Sequence, residues 1–112
     1  MPKWLLQEDL DYLVYQFEKA GFKGGVNYYR NLDTNWEITK DIEDLKIKVP
    51  TLFVSGKDDM VIRGASAEEL KTSMKDHVEK LEDVVLFPGI GHWVQQEEPE
   101  KTNEALLKFL EN

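Results

Sequence analysis

The chain has 112 residues, with 14 Lys and Arg against 22 Asp and Glu, a net charge of −8 at neutral pH. That balance works against nucleic acid and anionic membrane surfaces, which are bound by basic side chains neutralising phosphates. The absence of cysteine excludes a disulfide framework, a thiol nucleophile and a thiolate metal site. No apolar run is long enough to span a bilayer. With 41% hydrophobic and 11% aromatic residues the composition is that of a globular protein. The length sets an expectation of one domain rather than a whole large enzyme. No basic segment followed by an apolar one opens the sequence, so no secretory signal is read, and the expected location is cytoplasmic.

In chain order, the first predicted element is a helix from Gln7 to Ala20, where Leu10, Leu13, Val14 and Phe17 recur at helical spacing. Gly21 stands where a glycine ends a helix. Gly24-Gly25 reads as a break, followed over Val26 to Trp36 by a short helix and a turn. Charged and aliphatic residues alternate from Asp41 to Lys48. The run Val49-Pro50-Thr51-Leu52-Phe53-Val54-Ser55-Gly56 predicts a strand buried on both faces, with Pro50 at its first position. Ser66 and Glu69 form a capping box that opens a helix expected to continue to Leu81, with a stripe of Ala67, Leu70, Met74, Val78 and Leu81. Val84-Val85-Leu86-Phe87 predicts a second strand. Pro99 opens a last helix with an apolar face of Leu106, Leu107, Phe109 and Leu110. Strand, helix, strand, helix is a parallel βαβα unit of the α/β class, its crossover right-handed. The expected organisation is a helical piece, 1–40, and a βαβα piece, 41–112.

In open α/β sheets, ligands bind outside the carboxyl ends of the strands. One strand end leads into Ser55-Gly56-Lys57-Asp58-Asp59-Met60-Val61, the other into Phe87-Pro88-Gly89-Ile90-Gly91-His92-Trp93. Neighbouring strands about 4.8 Å apart would bring an Asp and a His out side by side. In that arrangement a carboxylate orients an imidazole that acts as general base. Taken singly, an Asp after a strand is a common turn or cap residue, and a lone loop His is commonly structural. It is their joint occurrence at one sheet edge that points to chemistry. His77 reads as a solvated residue on the middle helix. Gln95-Gln96-Glu97-Glu98 reads as acidic capping before a helix N-terminus, not as a metal site.

These residues resemble the C-terminal portion of an epoxide hydrolase of the soluble or plant type, within the α/β-hydrolase superfamily. Lys48 to Gly56 resembles the family's penultimate core strand, and Lys57-Asp58-Asp59-Met60-Val61 the loop bearing the acid of its catalytic triad. Gly89-Ile90-Gly91-His92-Trp93 resembles its histidine segment. Gly24-Gly25-Val26-Asn27-Tyr28-Tyr29-Arg30-Asn31, followed by Asn35-Trp36, resembles its cap domain. The resemblance implies that 1–40 is the end of a helical cap and 41–112 the C-terminal βαβα part of the core. It implies Asp59 as the triad acid, with Asp58 the competing neighbour, and His92 as the base. It makes Tyr29 the epoxide-polarising tyrosine, with Tyr28 and Trp93 in substrate contact. The implied substrate is a small-molecule epoxide, opened to a vicinal diol through an alkyl-enzyme ester, with no cofactor and no metal.

The family's nucleophile elbow and its H-G-x-P loop match nothing in this sequence. The chain therefore reads as about the last third of such an enzyme, expected to be inactive alone and to self-associate or pair with the remaining part. Two alternatives stand beside this reading. One is a portion of another α/β-hydrolase, a haloalkane dehalogenase or an esterase, against which Tyr29-Arg30-Asn31 argues. The other is a non-catalytic, self-associating remnant.

Overall fold

The computed structural model describes residues 1–42 and 45–111. They fall into two compact units divided between Glu43 and Asp44. Residues 43 and 44, within the alternating stretch 41–48, lie outside the described residues.

The first unit is helical. Helix α1 spans Gln7–Ala20 and ends at Gly21, whose φ of +68° is the left-handed backbone that glycine adopts at little cost. The Gly21 N–H closes the helix on the Phe17 carbonyl at 2.8 Å. Helix α2, Lys23–Arg30, contains Gly24 and Gly25, so the glycine pair does not break the chain. Each glycine costs a helix only about 1 kcal/mol relative to Ala. The turn before α2 is anchored by Phe22 stacked on Phe17, ring centroids 4.8 Å apart. The expected turn after α2 is instead a third helix, α3, Leu32–Thr39, with Asn31 as the shared end residue of both. Asp33 lies in the first turn of α3, where negative charge suits the helix dipole. The predicted stripe of α1 is real in spacing, yet Leu13, Val14 and Phe17 remain 43–48% exposed.

The second unit is a two-stranded parallel sheet with helices. Strand β1, Ile47–Gly56, pairs with β2, Val78–Phe87, from Ile47↔Val78 to Gly56↔Phe87. Pro50 is the fourth residue of β1, not its first. It borders a register irregularity, where a residue without an N–H is tolerated. Nor is β1 buried on both faces: its first four residues are exposed, and only Ser55 and Gly56 at its end are buried. Among the described residues the sheet offers β1 one neighbour, so its apolar run lacks the cover a central strand would have.

Helix α4 spans Ala67–Met74. The Ser66–Glu69 capping box is formed reciprocally, with Glu69 N donating to Ser66 Oγ at 3.3 Å and Ser66 N to Glu69 Oε2 at 2.8 Å. The Ser66 N–H, and after it the Ser66 hydroxyl donating to the same Oε2 at 2.7 Å, hold the Glu69 carboxyl below its ordinary range. The helix stops well before Leu81: Val78 and Leu81 belong to β2, facing Ile47 and Thr51. A three-residue spacing fits a helix face, but here strand pairing overrides it. His77 accordingly sits in the turn before β2, its carbonyl accepting from Ile47 N at 2.8 Å.

A one-turn helix, α5, Val94–Glu97, precedes α6, Pro99–Leu110, with Pro99 at the start of α6 as expected. The inward face of α6 is Thr102, Ala105 and Phe109, while Leu106, Leu107 and Leu110 are exposed. Helix α4 packs on β2, and α5 and α6 pack on β1. The buried core is Ile62, Val78, Val84, Phe87 and Val94, joined by buried Ser55, Asp59 and Thr102. No helix among the described residues is long and apolar enough to cross a membrane.

Candidate functional site

The parallel register continues past the strand ends. Lys57 N donates to Phe87 O at 2.9 Å and Asp58 N to Ile90 O at 3.0 Å, stitching the loop after β1 to the end of β2 and to the loop that follows it. The approach is close enough that a Cβ on Gly56 would run into the carbonyl oxygens of Ile90 and Gly91. A glycine at this position is what lets the two loops meet.

At that meeting point His92 Nδ1 lies 2.9 Å from Asp59 Oδ2, across 33 residues of sequence. Asp59 is 7% exposed and fully engaged. Its Oδ1 accepts from Val61 N at 2.8 Å, and Ser55 Oγ lies 3.3 Å from Oδ2. The Val61 N–H is the largest influence on its acidity. With the His92 contact and Ser55 it outweighs partial desolvation and holds the carboxyl below its ordinary range. An ionised carboxylate only accepts hydrogen bonds, so the proton of the contact belongs to His92 Nδ1. In the neutral ring Nε2 then carries the lone pair, and the His92 side chain is 56% exposed. A water beside Nε2 could be deprotonated there, while Asp59 stabilises the resulting imidazolium.

The competing neighbour, Asp58, is exposed, and its N–H serves the loop stitch. Trp93 is 55% exposed and meets the His92 ring edge-on, centroids 5.2 Å apart. Tyr28 and Tyr29 lie on α2 in the first unit and are 82% and 75% exposed. Among the described residues no group of three or more His, Cys, Asp or Glu converges on a metal position.

Two participants are invisible to motif reading. Ser55 closes the strand run and opens the acidic loop, and only its place four residues before Asp59 hints at its contact with that carboxylate. Glu97, read above as helix capping, does something else. Its Oε2 accepts from Gly91 N at 2.9 Å and its Oε1 from Trp93 N at 3.0 Å, on either side of His92. The residue heading α6, Glu98, makes no side-chain cap at all.

Parallel strands with flanking helices, and an Asp–His pair at their carboxyl ends, define the class as an α/β-hydrolase fold. Within it the chain belongs to the dienelactone hydrolase family, whose model matches residues 12–108. Its relatives include epoxide hydrolase A of Mycobacterium tuberculosis, 40% identical over 110 residues, covering 98% of this chain and 33% of that protein. Epoxide hydrolase 1 of Siraitia grosvenorii is 38% identical over 112 residues, covering 98% of this chain and 36% of that one. Among solved structures, potato (Solanum tuberosum) epoxide hydrolase I matches with a TM-score of 0.87 and 40% identity, covering 97% of this chain and 35% of its own. An epoxide hydrolase from Vigna radiata matches with a TM-score of 0.88 and 36% identity, covering 99% and 35%. The chain thus spans about a third of the length of the curated relatives it matches.

Proposed function

We propose that this chain carries the water-activating part of an epoxide hydrolase. The observation that carries the reading is the His92–Asp59 contact of 2.9 Å at the carboxyl ends of two parallel strands, in a chain 38–40% identical to proteins named epoxide hydrolases. In the proposed reaction a carboxylate, which we assign to no residue of this chain, opens the epoxide and forms an ester. Tyr29 donates a hydrogen bond to the epoxide oxygen as it gains charge, with Tyr28 and Trp93 contacting the substrate. His92 Nε2 then takes a proton from water. The oxygen attacks the ester carbonyl, the bond between that carbon and the alkyl group's oxygen breaks, and the departing oxygen takes the proton back from His92. The remaining proton of the attacking water passes from the released carboxyl group to the former epoxide oxygen, which restores the carboxylate and completes the vicinal diol. Asp59 keeps the imidazole in the required tautomer throughout. On this reading residues 1–40 are the end of a cap and 41–112 the C-terminal part of the catalytic core.

The test is a graft in which this chain replaces the matched third of the M. tuberculosis epoxide hydrolase A. The graft is expected to hydrolyse a styrene-type epoxide. Its Asp59→Asn and His92→Gln forms should accumulate the covalent ester while turnover falls at least about a hundredfold. Tyr29→Phe should slow ester formation instead. A folded graft whose Asp59→Asn and His92→Gln forms turn over at the parental rate would sink the proposal.

For the chain by itself we propose no turnover, together with self-association or pairing with a chain that supplies the rest. The support is the single paired edge of β1 among the described residues, beside exposed Ile47 and Val49. Sedimentation showing only monomer at every concentration would rule self-association out. The cysteine-free composition fits a cytoplasmic location, which cell fractionation tests.

A further inference from the structure

We infer that Glu97 is the positioning residue of His92: its carboxylate clamps the two backbone N–H groups that flank the histidine. The inference rests on the proposed role of His92 and names the device that serves it. His92 follows Gly91 and precedes Trp93, and each of these neighbours donates its N–H to a different oxygen of Glu97, at 2.9 and 3.0 Å. The His92 side chain is 56% exposed, so packing alone cannot hold it. Its ring meets Asp59 at one nitrogen and the edge of Trp93. A ring held by so few contacts takes its aim from the backbone beneath it, and Glu97 fixes that backbone on both sides.

Three features fit the clamp. A Cβ on Gly91 would come within 3.0 Å of Glu97 Oε1, so glycine there keeps the carboxylate at hydrogen-bonding distance. Glu97 stands on α5, whose Val94 is buried in the core. Helix α5 is itself tied to α6, because the buried Thr102 hydroxyl lies 3.0 Å from Val94 O and 2.8 Å from Glu98 O. The line of support runs from α6 through α5 and Glu97 to the peptides around His92. A carboxylate suits this place, since both of its oxygens accept. An amide would offer one acceptor and turn its NH2 toward the other N–H.

The test compares Glu97→Ala and Glu97→Gln with Val78→Ala, which weakens the core at the far end of β2. In the chain itself, NMR would follow solvent exchange of the His92 Nδ1 proton and of the Gly91 and Trp93 amides. Glu97→Ala should speed all three by about tenfold or more, Glu97→Gln should fall between it and the parent, and Val78→Ala should leave the three in register with the rest of the unit. In the graft, Glu97→Ala should lower kcat about tenfold with KM within about twofold, the pattern of a misaimed base. Exchange in Glu97→Ala no faster than in Val78→Ala would overturn the inference, and so would faster exchange with an unchanged kcat. Should Asp59→Asn and His92→Gln themselves leave turnover intact, the functional reading fails separately, and the exchange rates still decide whether Glu97 positions His92.

Discussion

In the first unit side-chain hydrogen bonds join near neighbours, such as Gln7 to Asp11, Arg30 to Asn27 and Thr39 to the Asn35 carbonyl, and none of the three helices holds a buried residue. In the second unit Asp59 meets His92 across 33 residues, within a set of buried apolar and fully hydrogen-bonded polar side chains. Helices built on local bonds depend little on any one side chain. A site built on a long-range meeting depends on each residue that permits it. The difference should therefore appear as a graded response to substitution.

The largest effect is expected at Gly56, where the two loops touch. Gly56→Ala places a methyl group against the Ile90 and Gly91 carbonyls. It should cost about 3 kcal/mol in urea unfolding and abolish the His92–Asp59 contact by NMR. Val84→Ala, in the core at 5% exposure, should cost about 2 kcal/mol. Its counterpart in the first unit, Val14→Ala at 48% exposure, should cost less than about 0.5 kcal/mol. Equal losses at these two valines would erase the contrast between the units. Ser66→Ala removes a local cap within the second unit. It should cost about 1 kcal/mol and leave the Glu69 carboxyl still below its ordinary range, though less so, because the Ser66 N–H stays and only the hydroxyl is lost, with no change at His92.

The smallest effect is read as a titration. The Val61 N–H, then His92 and Ser55, hold Asp59 below the ordinary value of 3.8. A carboxyl whose folded value is depressed stabilises the fold above its unfolded value, and that contribution is lost as pH falls through the folded value. Carboxyl carbon shifts should thus place the Asp59 midpoint below those of exposed carboxylates. A midpoint at or above theirs would mean that the long-range contact does not form in solution.

Where local chemistry decided the outcome, residues were enough. Gly21 ends α1, Ser66 and Glu69 open α4, Pro99 opens α6, and the Pro- and Gly-bounded apolar run is a strand. Where two local solutions compete, the sequence was ambiguous. Val78 and Leu81 suit a helix stripe and a strand equally, and pairing with Ile47 and Thr51 chose the strand. Gly24-Gly25 reads as a break by composition, yet sits inside a helix approached through the Phe17–Phe22 stack. Of the apolar face expected for α6, Leu106, Leu107, Phe109 and Leu110, Phe109 lies inward with Thr102 and Ala105, and the three leucines are exposed.

The sequence by itself determined the succession of β1, α4, β2 and α6, the parallel α/β character and the placing of an acidic loop and a histidine loop at the same sheet edge. Periodicity, caps and turn residues act over a few positions and are written in the chain. Only the tertiary structure decided that Asp59 rather than Asp58 faces His92, that Ser55 joins the carboxylate, and that Glu97 grips the peptides around the histidine. Those choices depend on the register of β1 against β2 and on how closely Gly56 lets the two loops approach. Register and approach are set by pairing across the fold, and no local stretch of residues contains them.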